Sequence, residues 1–100
     1  LATCLAQEGD FEVVVSDNWS GPRTRELAEG RGDPRVRYVR TPGLLAMTDS
    51  LEFAVGHARG EFVVLQGDDD GLLRHALPTV DRVLRDTGAA VLRWESAVYN

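Results

Sequence analysis

One cysteine, no lysine and no long apolar run set the first bounds on this 100-residue chain. Cys4 alone closes no intrachain disulfide, and no zinc-ligand spacing exists. A reducing compartment follows, so the expected location is cytoplasmic. No apolar stretch approaches the ~20 residues of a membrane span, and no secretory leader pattern opens the sequence. Glycine-rich phosphate loops are missing as well. Neither GxGxxG nor GxxxxGK(S/T) occurs, which disfavours nicotinamide cofactors and P-loop chemistry. All 11 basic residues are arginine, a bias of coding as much as of chemistry, although arginine also binds phosphate in a bidentate fashion. Ser16 and Ser20 have no evident histidine partner, so a serine nucleophile is disfavoured.

The residues that are present describe a small soluble domain. A net charge of −5 argues against a nucleic-acid duplex or an anionic membrane as partner. The 43% hydrophobic content is ordinary for a globular chain, and the length fits a single domain over residues 1–100 with a thin core.

Elements alternate along the chain. Leu1, Cys4 and Leu5 share a helical face that Gly9-Asp10 interrupts. Phe11-Glu12-Val13-Val14-Val15-Ser16 is a β-branched run, apolar on both faces as buried parallel strands are. Ser20-Gly21-Pro22 reads as an N-cap and first turn of a helix over residues 23–29 that stops at Gly30. Val36-Arg37-Tyr38-Val39 alternates like a short edge strand. Asp49 and Glu52 have capping-box spacing ahead of Leu51, Ala54, Val55 and Ala58, and Gly60 ends that helix. Phe62-Val63-Val64-Leu65-Gln66-Gly67 reads as a buried strand. Leu73, Ala76, Leu77, Val80 and Leu84 mark a further helix that Gly88 ends, and residues 90–94 read as a last strand. This order predicts an α/β fold, a Rossmann-like and mainly parallel sheet flanked by helices. Because the chain opens on half a helix, the pattern also predicts a strand ahead of Leu1.

The residues carrying the most chemistry are Asp68, Asp69 and Asp70. Adjacent carboxylates repel, and packing gains nothing from them. A hard divalent cation, Mg²⁺ or Mn²⁺, takes oxygen ligands and bridges carboxylates to substrate phosphates; the plain alternative is a solvated acidic turn. A second acidic cluster, Asp17-Asn18, closes the first strand. In a parallel sheet both would lie on one edge and line one cleft, where open α/β sheets bind ligands. Asp17 and Asn18 would then recognise base and ribose, and Asp68 to Asp70 the metal and diphosphate. Asp17 could equally be a turn residue. His57, near a helix C-terminus, suits the helix dipole. His75 reads as a first-turn surface residue or a phosphate contact. Arg40 and Arg59 read as solvated, with an anion contact as the alternative for either, and Trp19 as either a stacking platform or packing against the helix.

Two segments together carry a family resemblance. Phe11-Glu12-Val13-Val14-Val15-Ser16-Asp17-Asn18-Trp19-Ser20 resembles the "fEvvVvDngS" stretch of family 2 glycosyltransferases of the GT-A fold. Residues 35–39 look like that family's next strand. Residues 58–70 are similar to its "A-x-G-e-y-i-x-f-l-x-x-D-D" stretch with a DxD-type metal site. The resemblance covers essentially the whole chain. It implies that Asp17 contacts the nucleoside, with Asn18 where a second aspartate often stands. It further implies that Asp68 and Asp70 hold Mg²⁺ or Mn²⁺ and that Asp68 and Asp69 contact a nucleotide-diphosphate sugar. Gly67 stands where many members have the first aspartate, Trp19 replaces a usual glycine and Pro22 an often acidic position.

The family's first strand would lie before Leu1. Its acceptor half, with the catalytic acidic residue, would lie beyond Asn100, so no catalytic base is named. The resemblance thus implies the N-terminal donor-binding portion of a glycosyltransferase, with pairing between copies through an incomplete sheet as one consequence. The other readings are a non-catalytic α/β nucleotide-binding scaffold and an Mg²⁺-dependent phosphate enzyme with an aspartate nucleophile. The absence of lysine counts against the last.

Overall fold

Two parallel strands organise the larger part of the chain. In a computed structural model, which describes residues 1–94, β1 spans Val13–Asp17 and β2 spans Val36–Arg40. They pair in parallel from Val13 opposite Val36 to Asp17 opposite Arg40. The helix between them, α2 (Pro22–Glu29), begins on a proline whose fixed φ suits the first helical position and whose missing N–H is not needed there. It ends at Gly30, whose N–H donates to the Glu26 carbonyl at 2.8 Å. A Cβ at Gly30 would stand 2.7 Å from that same carbonyl oxygen, so no larger residue fits this close approach. Helix α3 (Met47–His57) packs on β1, and α2 packs on both strands. The result is an α/β fold with a small parallel sheet and flanking helices.

The described chain forms two compact units, one of Asp10–Gly67 and one of Leu1–Gly9 with the residues from Asp68 onward. The second unit contains a short helix, α1 (Ala2–Leu5), and a longer one, α4 (Ala76–Thr87), the last among the described residues. Gln7 clips them together. It is buried, its Nε2 donates to the carbonyls of Thr3 and Leu73 at 3.2 and 2.9 Å, and its Oε1 accepts the Leu77 N–H at 3.0 Å. The Thr3 hydroxyl accepts the Leu72 N–H beside it. The longer helix has Pro78 in its first turn, where the lost N–H costs nothing. It stops at Gly88, whose φ of 65° is the left-handed conformation that glycine adopts freely.

Several expectations from the sequence are corrected. Residues 62–67 are not a strand, and Phe62, Val63 and Leu65 are exposed. A β-branched run becomes a strand only when a neighbour supplies the ladder, and the described sheet has two strands, neither of them this one. Residues 90–94 are likewise not a strand, with Val91 exposed. Only Asp17, then, ends a strand; the aspartates at 68–70 do not. Asp49 and Glu52 form no capping box, because α3 starts on Ala46 without a side-chain cap, which leaves Asp49 inside the first turn facing the helix dipole. That helix ends at His57, three residues before Gly60, where Ala58 turns extended. Ser20 does not cap α2, since Gly21 holds that position and Asp17 takes the Ser20 hydroxyl.

Hydrogen exchange checks the largest of these corrections. Amides of residues 63–65 should exchange quickly while the amides bridging β1 and β2 stay protected. Equal protection of the two sets would show that residues 62–67 are a strand after all.

Candidate functional site

β1 ends by burying a carboxylate. Asp17 is 3% exposed, and a charge in that position must be partnered. Its Oδ1 accepts the Ser20 N–H at 2.8 Å and the Ser20 hydroxyl at 2.6 Å. Its Oδ2 accepts the Tyr38 hydroxyl. Its backbone carbonyl accepts the Thr41 N–H at 2.9 Å. One residue therefore ties the β1–α2 turn to both β2 and the loop after it. Burial pushes the Asp17 carboxyl upward. The hydroxyls of Ser20 and Tyr38, the Ser20 amide and the Arg40 charge outweigh burial and hold it below the usual carboxylate range. The same bond to Asp17, with burial, raises the Tyr38 phenol.

Asn18 repeats this pattern on the adjoining loop. Its Nδ2 donates to the Leu45 carbonyl at 2.8 Å, and its Oδ1 accepts the Leu45 N–H at 2.9 Å and the Thr41 hydroxyl at 3.2 Å. The side chain imitates a strand partner and pins the segment that leads into α3. Trp19 follows with φ at 64°, a left-handed conformation costing on the order of 1–3 kcal/mol for a bulky residue. Its Nε1 donates to the Thr41 carbonyl at 2.7 Å. The Arg40 guanidinium lies over the Trp19 ring, 4.6 Å from its centre, and Arg25 lies over Tyr38 at 5.7 Å. Together Asp17, Ser20, Pro22, Arg25, Tyr38 and Arg40 line a cavity of about 360 Å³.

Sequence reasoning missed Tyr38 and Arg25, and read Arg40 as solvated with an anion contact only as the alternative. The signal was the period of β2: Tyr38 and Arg40 are two residues apart and share a face, and Arg40 stands opposite Asp17 in the register.

Asp68, Asp69 and Asp70 belong to the other unit, where they are exposed, the first two within a turn. Among the described residues no three His, Cys, Asp or Glu side chains converge to hold a metal ion. The carboxylates at 68–70 still supply hard oxygen donors, and Mg²⁺ typically uses one or two of these with substrate phosphates. Such a set suits a cation shared with a ligand rather than one caged by protein. His57 is structural, its Nδ1 2.8 Å from the Phe53 carbonyl and its ring 4.4 Å from that of Phe53. His75 caps the final helix with φ at 67°.

The profile of Glycosyl transferase family 2 matches residues 1–97. The chain belongs to this family. Among curated relatives of this family 2 chain is the succinoglycan biosynthesis protein ExoO of Rhizobium meliloti (strain 1021). It is 34% identical over 71 residues, which cover 70% of this chain and 20% of that protein. No solved structure matches. Membership supports glycosyl transfer in general. Among the described residues no helix is long and apolar enough to cross a membrane.

Acid titration tests the partnered state of Asp17. A carboxyl whose folded pKa is depressed gives stability that is present above its unfolded value and lost as pH falls through the folded one. Asp33 behaves alike: Arg35 donates to it from its side chain at 2.8 and 3.1 Å and from its amide at 2.9 Å, lowering it to about 2. Stability should therefore fall between roughly pH 4 and pH 2. Asp17→Asn should lose about 1–3 kcal/mol at pH 7 and show a shallower fall in urea denaturation followed against pH. An unchanged acid limb would mean that the Asp17 carboxyl is not held ionised.

Proposed function

We propose that this family 2 chain is the donor-binding portion of a glycosyltransferase and holds a metal-chelated nucleotide-diphosphate sugar. The observation that supports this best is the ionised, buried carboxylate of Asp17 at the end of β1, fixed beside a cavity of about 360 Å³. Ligands of α/β sheets gather at the carboxyl ends of strands. Asp17 is already oriented by Ser20 and Tyr38, so it offers its remaining acceptor site to a nucleoside at little reorganisation cost. In this reading Asn18 serves the nucleoside by holding the 41–45 loop through Leu45.

Asp68 and Asp70 would hold Mg²⁺ or Mn²⁺, and Asp68 and Asp69 would contact the donor. When bound, the ion neutralises charge developing on the diphosphate leaving group. The acceptor's hydroxyl oxygen would bond to the sugar's anomeric carbon as the bond from that carbon to the diphosphate oxygen breaks, and the nucleoside diphosphate would leave. The aspartates of the chain bind and orient; the base that takes the acceptor's proton is not assigned to any described residue.

Calorimetry with UDP, GDP and dTDP, each with and without Mn²⁺, tests the proposal. One nucleotide should bind, and Mn²⁺ should tighten it. Asp70→Ala should abolish the Mn²⁺ contribution while circular dichroism stays unchanged. No binding of any of the three under either condition would leave the chain a non-catalytic scaffold.

A further inference from the structure

The cavity beside Asp17 has a charge imbalance that a nucleoside alone does not explain. Its single carboxylate is already engaged on both oxygens by protein donors, Ser20 on one and Tyr38 on the other, which leaves one acceptor site on Oδ2. Two guanidinium groups line the same space. Arg25 pairs with Glu29 at 3.0 Å. Arg40 makes no ion pair or side-chain hydrogen bond among the described residues, so its five N–H donors are unspent on protein.

Arg40 is nevertheless not left to wander in solvent. One face of its guanidinium lies on the Trp19 ring, and the ring is fixed in turn by its N–H bond to the Thr41 carbonyl. The backbone of Trp19 is left-handed where it presents this ring, with φ at 64°. Backbone strain that the surroundings enforce points to a use for the side chain it aims. A guanidinium stacked on one face keeps its edge free, and that edge is the fork that grips an oxyanion with two parallel hydrogen bonds.

We infer that Arg40, seated on Trp19, grips a phosphate of the ligand in the Asp17 cavity and so adds a phosphate contact that needs no metal. The inference rests on the nucleotide reading above and extends it to a specificity-determining pair. Arg40 distinguishes a nucleotide from a bare nucleoside, and Trp19 is its positioning residue.

The test uses the Trp19 indole N–H resonance, assigned by its loss in Trp19→Phe, in titrations without divalent metal. The probes are uridine with UDP, guanosine with GDP, thymidine with dTDP, and inorganic pyrophosphate. For the base that fits, the diphosphate should bind about tenfold tighter than its nucleoside, the scale of a charge-assisted hydrogen bond. Arg40→Gln should erase that ratio and leave nucleoside affinity unchanged. Arg40→Lys should recover part of it, because it keeps the charge and loses the fork. If Arg40→Gln leaves the ratio intact, or weakens nucleoside and nucleotide equally, the inference falls and the nucleoside reading stands. If pyrophosphate alone moves the indole and Arg40→Gln abolishes this, the phosphate grip stands and the nucleoside reading falls. If no probe moves the indole, the inference is overturned together with nucleotide binding at this cavity.

Discussion

A buried charge that cannot be left unpaired governs this structure. The carboxylate of Asp17 sits at the end of β1 almost wholly out of water, where an uncompensated charge would cost several kcal/mol. Its partners fix the local geometry. Ser20 must turn back toward the strand, so the cap of α2 passes to Gly21. Tyr38 must reach across from β2, which locks the register of the parallel pair. Thr41 must meet the Asp17 carbonyl, which bends the chain out of β2 at a set place. The cavity walls are the consequence of these three demands.

Polar clips carry unusual weight because apolar burial is scarce. Among the described residues only Ala28 and Leu84 count as buried hydrophobic side chains, while Leu44, Met47, Leu51 and Val55 on and before α3 remain exposed. Three polar side chains, Gln7, Asp17 and Asn18, instead tie segments distant in sequence. Networks of this kind contribute geometry more than raw stability, and a ligand site needs geometry above all. The same groups that hold the fold thus place the donors and acceptors of the cavity.

The strongest local signals were legible in the sequence. The β-branched run before Asp17, the proline opening α2, the apolar spacing of α3 and the glycine closing the last helix each produced the expected element, because each is decided within a few residues. Residues 62–67 failed for the opposite reason. Their strand propensity is real, but a strand exists only through a partner, and no local pattern reports whether one is present. The acidic clusters divided in the same way. Asp17 was legible as a strand-end acid, yet its partners Ser20 and Tyr38 were not, since the second is reached only through the register of two strands. Trp19 was an intermediate case. The glycine that the resemblance leads one to expect there would signal left-handed backbone, and the tryptophan adopts that conformation and adds a ring to it.

The central claim is that the Asp17–Tyr38 clasp across β1 and β2 organises the site. A double-mutant cycle on folding free energy, built from Asp17→Asn, Tyr38→Phe and the double variant, measures it most directly. The account predicts non-additive effects, with a coupling of about 1 kcal/mol or more. Additive effects of the two substitutions would contradict it.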